Sequence, residues 1–218
     1  MATIVDATYF EKGALYIPNN KDVNVAPTGS PTNQTGLDFY ITEYEREVLL
    51  NALGIVLYEE LQIALLDLPN APQKWIDLVE GKTYVNSSSV TKRWDGLQGF
   101  NKQSVIAFFI YTEYLRNYNE TFATTGVVRN DSKNATNYDA TPKYIKAHMS
   151  FIEKYQSSNT GSPTSSVNML GTSGLDWYGS ENAQVSLYQF LLDSNELDNT
   201  AFPDFTFKFY ANQNSLGI

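Results

Sequence analysis

The residues of this sequence whose side chains could do chemistry are the adjacent carboxylates Glu59 and Glu60, the lone histidine His148, and the oxygen-rich run Asn130-Asp131-Ser132-Lys133-Asn134. A pair of carboxylates works as acid and base only when both face one reacting bond. Glu59 and Glu60 fall within a helical pattern, where neighbours point about 100° apart, so they are expected to form a solvated face and not a dyad. His148 has the chemistry of a general base or a metal ligand. It shares its helical stripe with Phe151 and Ile152, however, and is expected to be a hydrogen-bonded packing residue. The run 130–134 offers oxygens to a calcium ion but lacks the alternating acidic loop, the central glycine and the closing bidentate glutamate of a calcium loop. An exposed loop is expected there. The sequence contains no glycine-rich phosphate loop, nucleophile elbow or His-Glu-x-x-His stretch. No catalytic, cofactor-binding or metal-binding residue is therefore expected, and the chain is not expected to be an enzyme.

Composition narrows the classes further. A chain of 218 residues can bury a sizeable core in one domain. Its formal net charge of −9 and pI near 4.6 give no basic footprint for holding nucleic acid. Cysteine is absent, which removes disulfides, thiol nucleophiles and thiolate metal sites. Only 18% of residues are charged while 15 are tyrosine, and asparagine is frequent. Such a polar but weakly charged surface suits contact with other protein chains. The N-terminal stretch lacks the basic start and apolar core of a secretory signal, so export by that route is not expected.

The elements that must position these residues follow from periodicity. Thr42-Glu43-Tyr44-Glu45 reads as a capping box opening a helix with Tyr44, Val48, Leu49 and Ala52 on one stripe and Gly54 as its stop. A second helix carries Ile55, Tyr58, Leu61 and Leu65 and closes at Pro69. A third, from Ala71 to Gly81, places Trp75, Ile76 and Val79 on its apolar face. Residues 82–94 alternate around Asn-Ser-Ser-Ser and predict a β-hairpin. The central helix is expected from Asn101 to Tyr118, and Val105 to Tyr111 is apolar without interruption, so no face of it is written for water. Phe108, Tyr111, Leu115 and Tyr118 make one stripe, and Val105, Phe109 and Thr112 another. Thr141-Pro142 opens a closing helix carrying Tyr144, Ile145, His148, Phe151, Ile152 and Tyr155. A short helix is expected within Gln184 to Asp193. The end alternates at Phe205, Phe207 and Phe209, the period of a strand that would pair at a distance or add to a neighbouring subunit's sheet. Near the start, Ala14 to Ile17 favours a short strand or extended arm, and Pro18 to Gly36 a flexible loop.

The expected fold is mainly α: a helical bundle around a central aromatic helix, with a β-hairpin insertion, long irregular arms and a C-terminal strand. Residues 1–41 form an N-terminal strand and flexible arm, 42–156 the helical core with its hairpin at 82–94, and 157–218 a C-terminal extension of loop, short helix and strand. The residues expected in the core or at a subunit interface are Trp94, Phe108, Phe109, Tyr111, Tyr114, Leu115, Tyr118, Phe205, Phe207 and Phe209.

The order of these features carries a resemblance over roughly residues 40 to 156. Capped helices lead to a hairpin with a Trp-Asp-Gly-Leu exit (Trp94 to Leu97). The aromatic helix FNKQSVIAFFIYTEYLRNY follows, then a Thr-Thr-Gly-Val-Val island (Thr124 to Val128), an asparagine-rich loop and a closing helix. In this the chain resembles the head-to-tail connectors of tailed bacteriophages, the portal-proximal adaptor or head-completion proteins, nearest to those of phages of Bacteroidetes, including crAss-like phages. The resemblance implies a structural virion protein at the head-tail junction, made in the host cytoplasm. Such proteins form a homo-oligomeric ring, commonly of twelve subunits, between the portal protein and the tail or further ring proteins. DNA passes through the ring in passing contact, and no membrane is involved. It also implies that the loops at 18–36, 129–140 and 157–180 meet neighbouring subunits or other ring proteins. A reading from another class is a soluble carbohydrate- or peptide-binding module using exposed tyrosines and Trp177 as stacking platforms.

Overall fold

The computed structural model describes residues 2–17, 37–118, 120–123, 126–129, 141–156 and 183–211. The protein is mainly helical, and the central helix organises it. That helix, α4 (Val105–Tyr118), has every residue from Ser104 to Tyr114 buried. One flank is covered by α1 (Leu37–Leu53) and another by α5 (Thr141–Gln156). Both apolar stripes are thus satisfied inside the chain as far as Tyr114. α4 starts later than the apolar pattern predicts, because Asn101 and Lys102 take left-handed backbone (φ 52° and 61°) in a tight turn that no helix can continue through. Ser104 then caps it: its Oγ accepts from the Ile106 amide at 3.1 Å and donates to the Leu97 carbonyl.

Before α4 the chain winds three helices and a hairpin. In α1, Leu37, Ile41, Val48, Leu49, Ala52 and Leu53 recur at three- and four-residue spacing and are buried. The turn into α2 (Ile55–Ala64) is made at Gly54 with φ +80°, and a Cβ there would lie 2.5 Å from Thr206 Oγ1. Glycine is needed for the backbone sign and for the space. Gly54→Ala is expected to lower stability by about 2 kcal/mol in denaturant melts, the scale of a forced left-handed residue. Pro69 lies within a 3-10 turn (Leu65–Asn70) that continues α2 and is followed by α3 (Gln73–Glu80), whose Trp75, Leu78 and Val79 are buried. The hairpin pairs β1 (Lys82–Val85) with β2 (Thr91–Trp94) in the register Lys82↔Trp94. Its loop is tied by Asn86 Oδ1, which accepts from the amides of Ser88 and Val90.

After α4, β3 (Glu120–Ala123) and β4 (Gly126–Arg129) pair antiparallel, turning the predicted apolar island into the second strand of a hairpin. The short strand β5 (Ala183–Gln184) adds parallel to β2, and α6 (Leu187–Leu197) follows, capped by Ser186. Phe190 of α6 stacks on Trp94 at 5.5 Å, and Trp94 Nε1 donates to the Leu78 carbonyl at 2.9 Å. Buried residues from the N-terminal segment, the helices and α6 belong to one hydrophobic cluster, so the described parts of 1–41 and 157–218 complete the core that 42–156 begins.

Three local expectations are corrected. Residues Ala14 to Ile17 are not a strand. The N-terminal segment folds as two 3-10 turns, Ala7–Phe10 and Gly13–Leu15, that bury Val5, Phe10, Leu15 and Ile17. The capping box is not formed, because α1 already runs from Leu37. Thr42 Oγ1 donates to the Asp38 carbonyl at 2.9 Å, and Glu45 turns inward. The C-terminal Phe205–Phe209 segment is not a strand of either sheet. It is a strap laid over helices, where side chains and the Asn51 carbonyl supply the bonds a sheet edge would have given.

Candidate functional site

Of the residues expected in the core or at an interface, Trp94, Phe108, Phe109, Tyr111 and Tyr114 are buried within the protomer. Leu115 is half-buried against the same cluster, and the Tyr118 side chain lies outside the described residues. Phe205 and Phe207 are half-buried, and Phe209 is exposed. The aromatic helix therefore belongs to the core. Surface available to a partner must be sought elsewhere.

It is found on α2. Leu57, Tyr58, Leu61 and Ala64 face inward, and this turns Ile55, Val56, Ile63 and, in the following turn, Leu66 to the outside at 56%, 66%, 71% and 78% exposure. Glu59 and Glu60 share that face, and Glu60 meets Lys74 at 3.4 Å. The sequence pattern placed Ile55 in the buried stripe. A helix apolar on more than one side does not announce which side is core, and the side that packs towards α1 decides it.

The second surface is the groove that holds the strap. Lys208 N donates to the Asn51 carbonyl at 2.7 Å, and Asn51 Nδ2 donates to Tyr210 Oη at 2.6 Å. Gln156 grips the Tyr210 backbone from both sides, accepting from its amide at 2.7 Å and donating to its carbonyl at 2.8 Å. Tyr155 Oη donates to the Lys208 carbonyl at 3.2 Å. The Tyr210 ring wedges among Phe109, Phe151 and Tyr155, with centroids 5.1 to 5.3 Å away. Asn51, Gln156 and Tyr210 carry no local sequence signature. The nearest signal is that the aromatic alternation Phe205, Phe207, Phe209, followed by Tyr210, has nothing beside it in sequence to pair with.

His148 lies in this groove, with Nε2 3.1 Å from the Ala211 carbonyl and its ring stacked on Tyr144. Burial holds its pKa below the usual histidine value, so the neutral ring donates one hydrogen bond and packs. Elsewhere, Tyr84 Oη and Gln189 Nε2 each donate at 2.7 Å to the buried Asp193 carboxylate. Burial and the carboxylate together push the Tyr84 phenol far up. Among the described residues no group of three or more His, Asp or Glu side chains is placed to hold a metal ion. The run 130–134, Trp177 and most of the loops at 18–36, 129–140 and 157–180 lie outside the described residues. No described helix is long and apolar enough to cross a membrane.

No family model, curated protein or solved structure matches this chain.

Proposed function

We propose that this chain is a structural subunit of a phage particle, one copy in a ring that sits between portal and tail, lengthens the DNA channel and offers the tail a docking surface. The observation that carries the reading is the exposed aliphatic face Ile55, Val56, Ile63 and Leu66. Scattered apolar side chains are ordinary on a protein surface, but four large ones exposed between Ile55 and Leu66, on α2 and the turn after it, support a contact with another protein there. A ring uses heterologous contacts, so each subunit needs two different surfaces, and the α2 face is one. The net charge of −9 suits a conduit through which DNA slides without being held. The portal protein, the tail or further ring proteins and copies of the same chain are the partners of this reading, with twelve as the common count in the connectors it resembles.

Negative-stain imaging and mass measurement of the purified protein, alone and mixed with a phage portal protein, test the proposal. Rings are expected. A protein that stays monomeric with the portal at micromolar concentration, and binds sugars or peptides instead, overturns it. The double substitution Ile63→Asp and Leu66→Asp is expected to abolish rings while shifting monomer stability by no more than about 0.5 kcal/mol, as surface changes do.

A further inference from the structure

Past α6 the chain is built as a clamp, a hinge and a strap. The clamp is Asn195, whose side-chain oxygen accepts from the Phe202 amide at 2.8 Å while its nitrogen donates to the Phe202 carbonyl at 2.7 Å. Phe202 is itself buried against Trp75 and Phe190. The hinge is the exposed pair Pro203-Asp204, with Asp204 in left-handed backbone at φ 54°. The strap is residues 205–211. Its Phe207 packs on Tyr155 at 4.5 Å, and its Phe205, Phe207 and Phe209 comb along Tyr188. The side-chain bonds that hold it join residues between 53 and 159 positions apart. Everything before the hinge is fixed to the body by the clamp, and everything after it is fixed by a groove whose hydrogen bonds come from α1 and α5 and whose ring contacts include Phe109 of α4 and Tyr188 of α6.

We propose that in the assembled ring the strap of each subunit swings about Pro203-Asp204 and fills the α1–α5 groove of the next subunit. The inference rests on the ring reading and names its second surface. Exchange reproduces in the neighbour every bond and ring contact that the strap makes at home, so little is lost but the effective concentration of a tethered segment. It also frees Asp204 from a backbone region that is unfavourable for residues with a Cβ. Strap and groove are different features, so the contact is head-to-tail, the kind that closes a ring.

The chain has no cysteine, which makes introduced thiols unique. Asn51→Cys and Lys208→Cys sit at the strap's backbone bond to α1. Singly substituted proteins carrying tags of different size are assembled together with the portal and treated with a short bis-maleimide. A cross-linked species containing one of each tag is expected, and the doubly substituted protein is expected to give a ladder extending past the dimer. Glu47→Cys with Lys208→Cys repeats the test with the Asn51 side chain intact. Rings that are visible by negative stain while the double variants close only on themselves and run as monomers overturn the exchange and leave the ring reading standing. Absence of any oligomer removes both.

Discussion

Glu45→Ala is expected to lower the stability of the protein by about 3 kcal/mol and to expose its first seventeen residues to protease, because two amides lose their acceptor. Glu45 is 3% exposed, and its carboxylate accepts from the amides of Ile4 at 2.8 Å and Val5 at 3.0 Å. No other secondary structure holds those two residues; behind them lie Phe10, Leu15 and Ile17, also buried. Loss of the carboxylate leaves donors stranded in an apolar setting and unlatches the cap. Chemical denaturation, with mapping of cleavage sites, measures both effects. The same residue makes stability depend on pH. Burial pushes its pKa up to about 7 even though the hydrogen bonds from Ile4 and Val5 pull it down. A carboxyl whose folded value lies above its unfolded one stabilises the fold fully below the unfolded value, and that contribution is lost as pH rises through the folded value. The window here runs from about 4.5 to about 7. Glu45→Gln cannot titrate, so the stability of the natural protein relative to this variant is expected to fall by roughly 3 kcal/mol between pH 4.5 and pH 8. A difference that stays flat across that range would mean the carboxyl is not held in this way.

Phe151→Ala is expected to be more damaging, at about 4 kcal/mol, the scale of an aromatic ring removed from a packed core. Phe151 is fully buried, and its ring meets Phe109 at 4.9 Å and both Tyr155 and Tyr210 at 5.1 Å. The ring joins three parts of the chain: α4, its own helix α5, and the strap. A cavity there cannot collapse without moving all of them. Loss of the strap from the groove is expected alongside the loss of stability, read as faster cleavage after Lys208 by a lysine-specific protease. The contrast with Ile63→Asp and Leu66→Asp, which should spare the monomer, separates core from contact surface by experiment.

The bundle was legible where apolar spacing is long and regular. α4 and α5 were readable from runs such as Val105 to Tyr111 and Tyr144 to Tyr155, and the hairpin from alternation on either side of Asn86. What was not legible depends on partners far away in sequence. Thr42-Glu43-Tyr44-Glu45 has the composition of a capping box, and nothing local says that Glu45 will instead meet amides 41 and 40 positions earlier. Alternation at Phe205, Phe207 and Phe209 fits a strand and also fits an extended chain lying on helices, because both have a period of two. The outward face of α2 was hidden by the opposite difficulty: Ile55 read as part of the buried stripe with Tyr58, Leu61 and Leu65, and Val56, Ile63 and Leu66 stood out only once α1 had covered the other side. The candidate surfaces are therefore the least predictable part of the chain, since a contact surface is defined by what its own protomer leaves uncovered.

The bond between Asn51 and Tyr210 spans 159 residues, and this sets an order of events during synthesis. At ribosomal rates of about 5–20 residues per second, α1 waits roughly ten to thirty seconds for the segment that covers it. Once each is made, the edges of Phe109 and Phe151 that Tyr210 will shield face water until Tyr210 follows. Closing so long a loop comes late in folding, after the helices have met. A nascent chain in this interval offers an open groove, and any already finished neighbour with a free strap could reach it first.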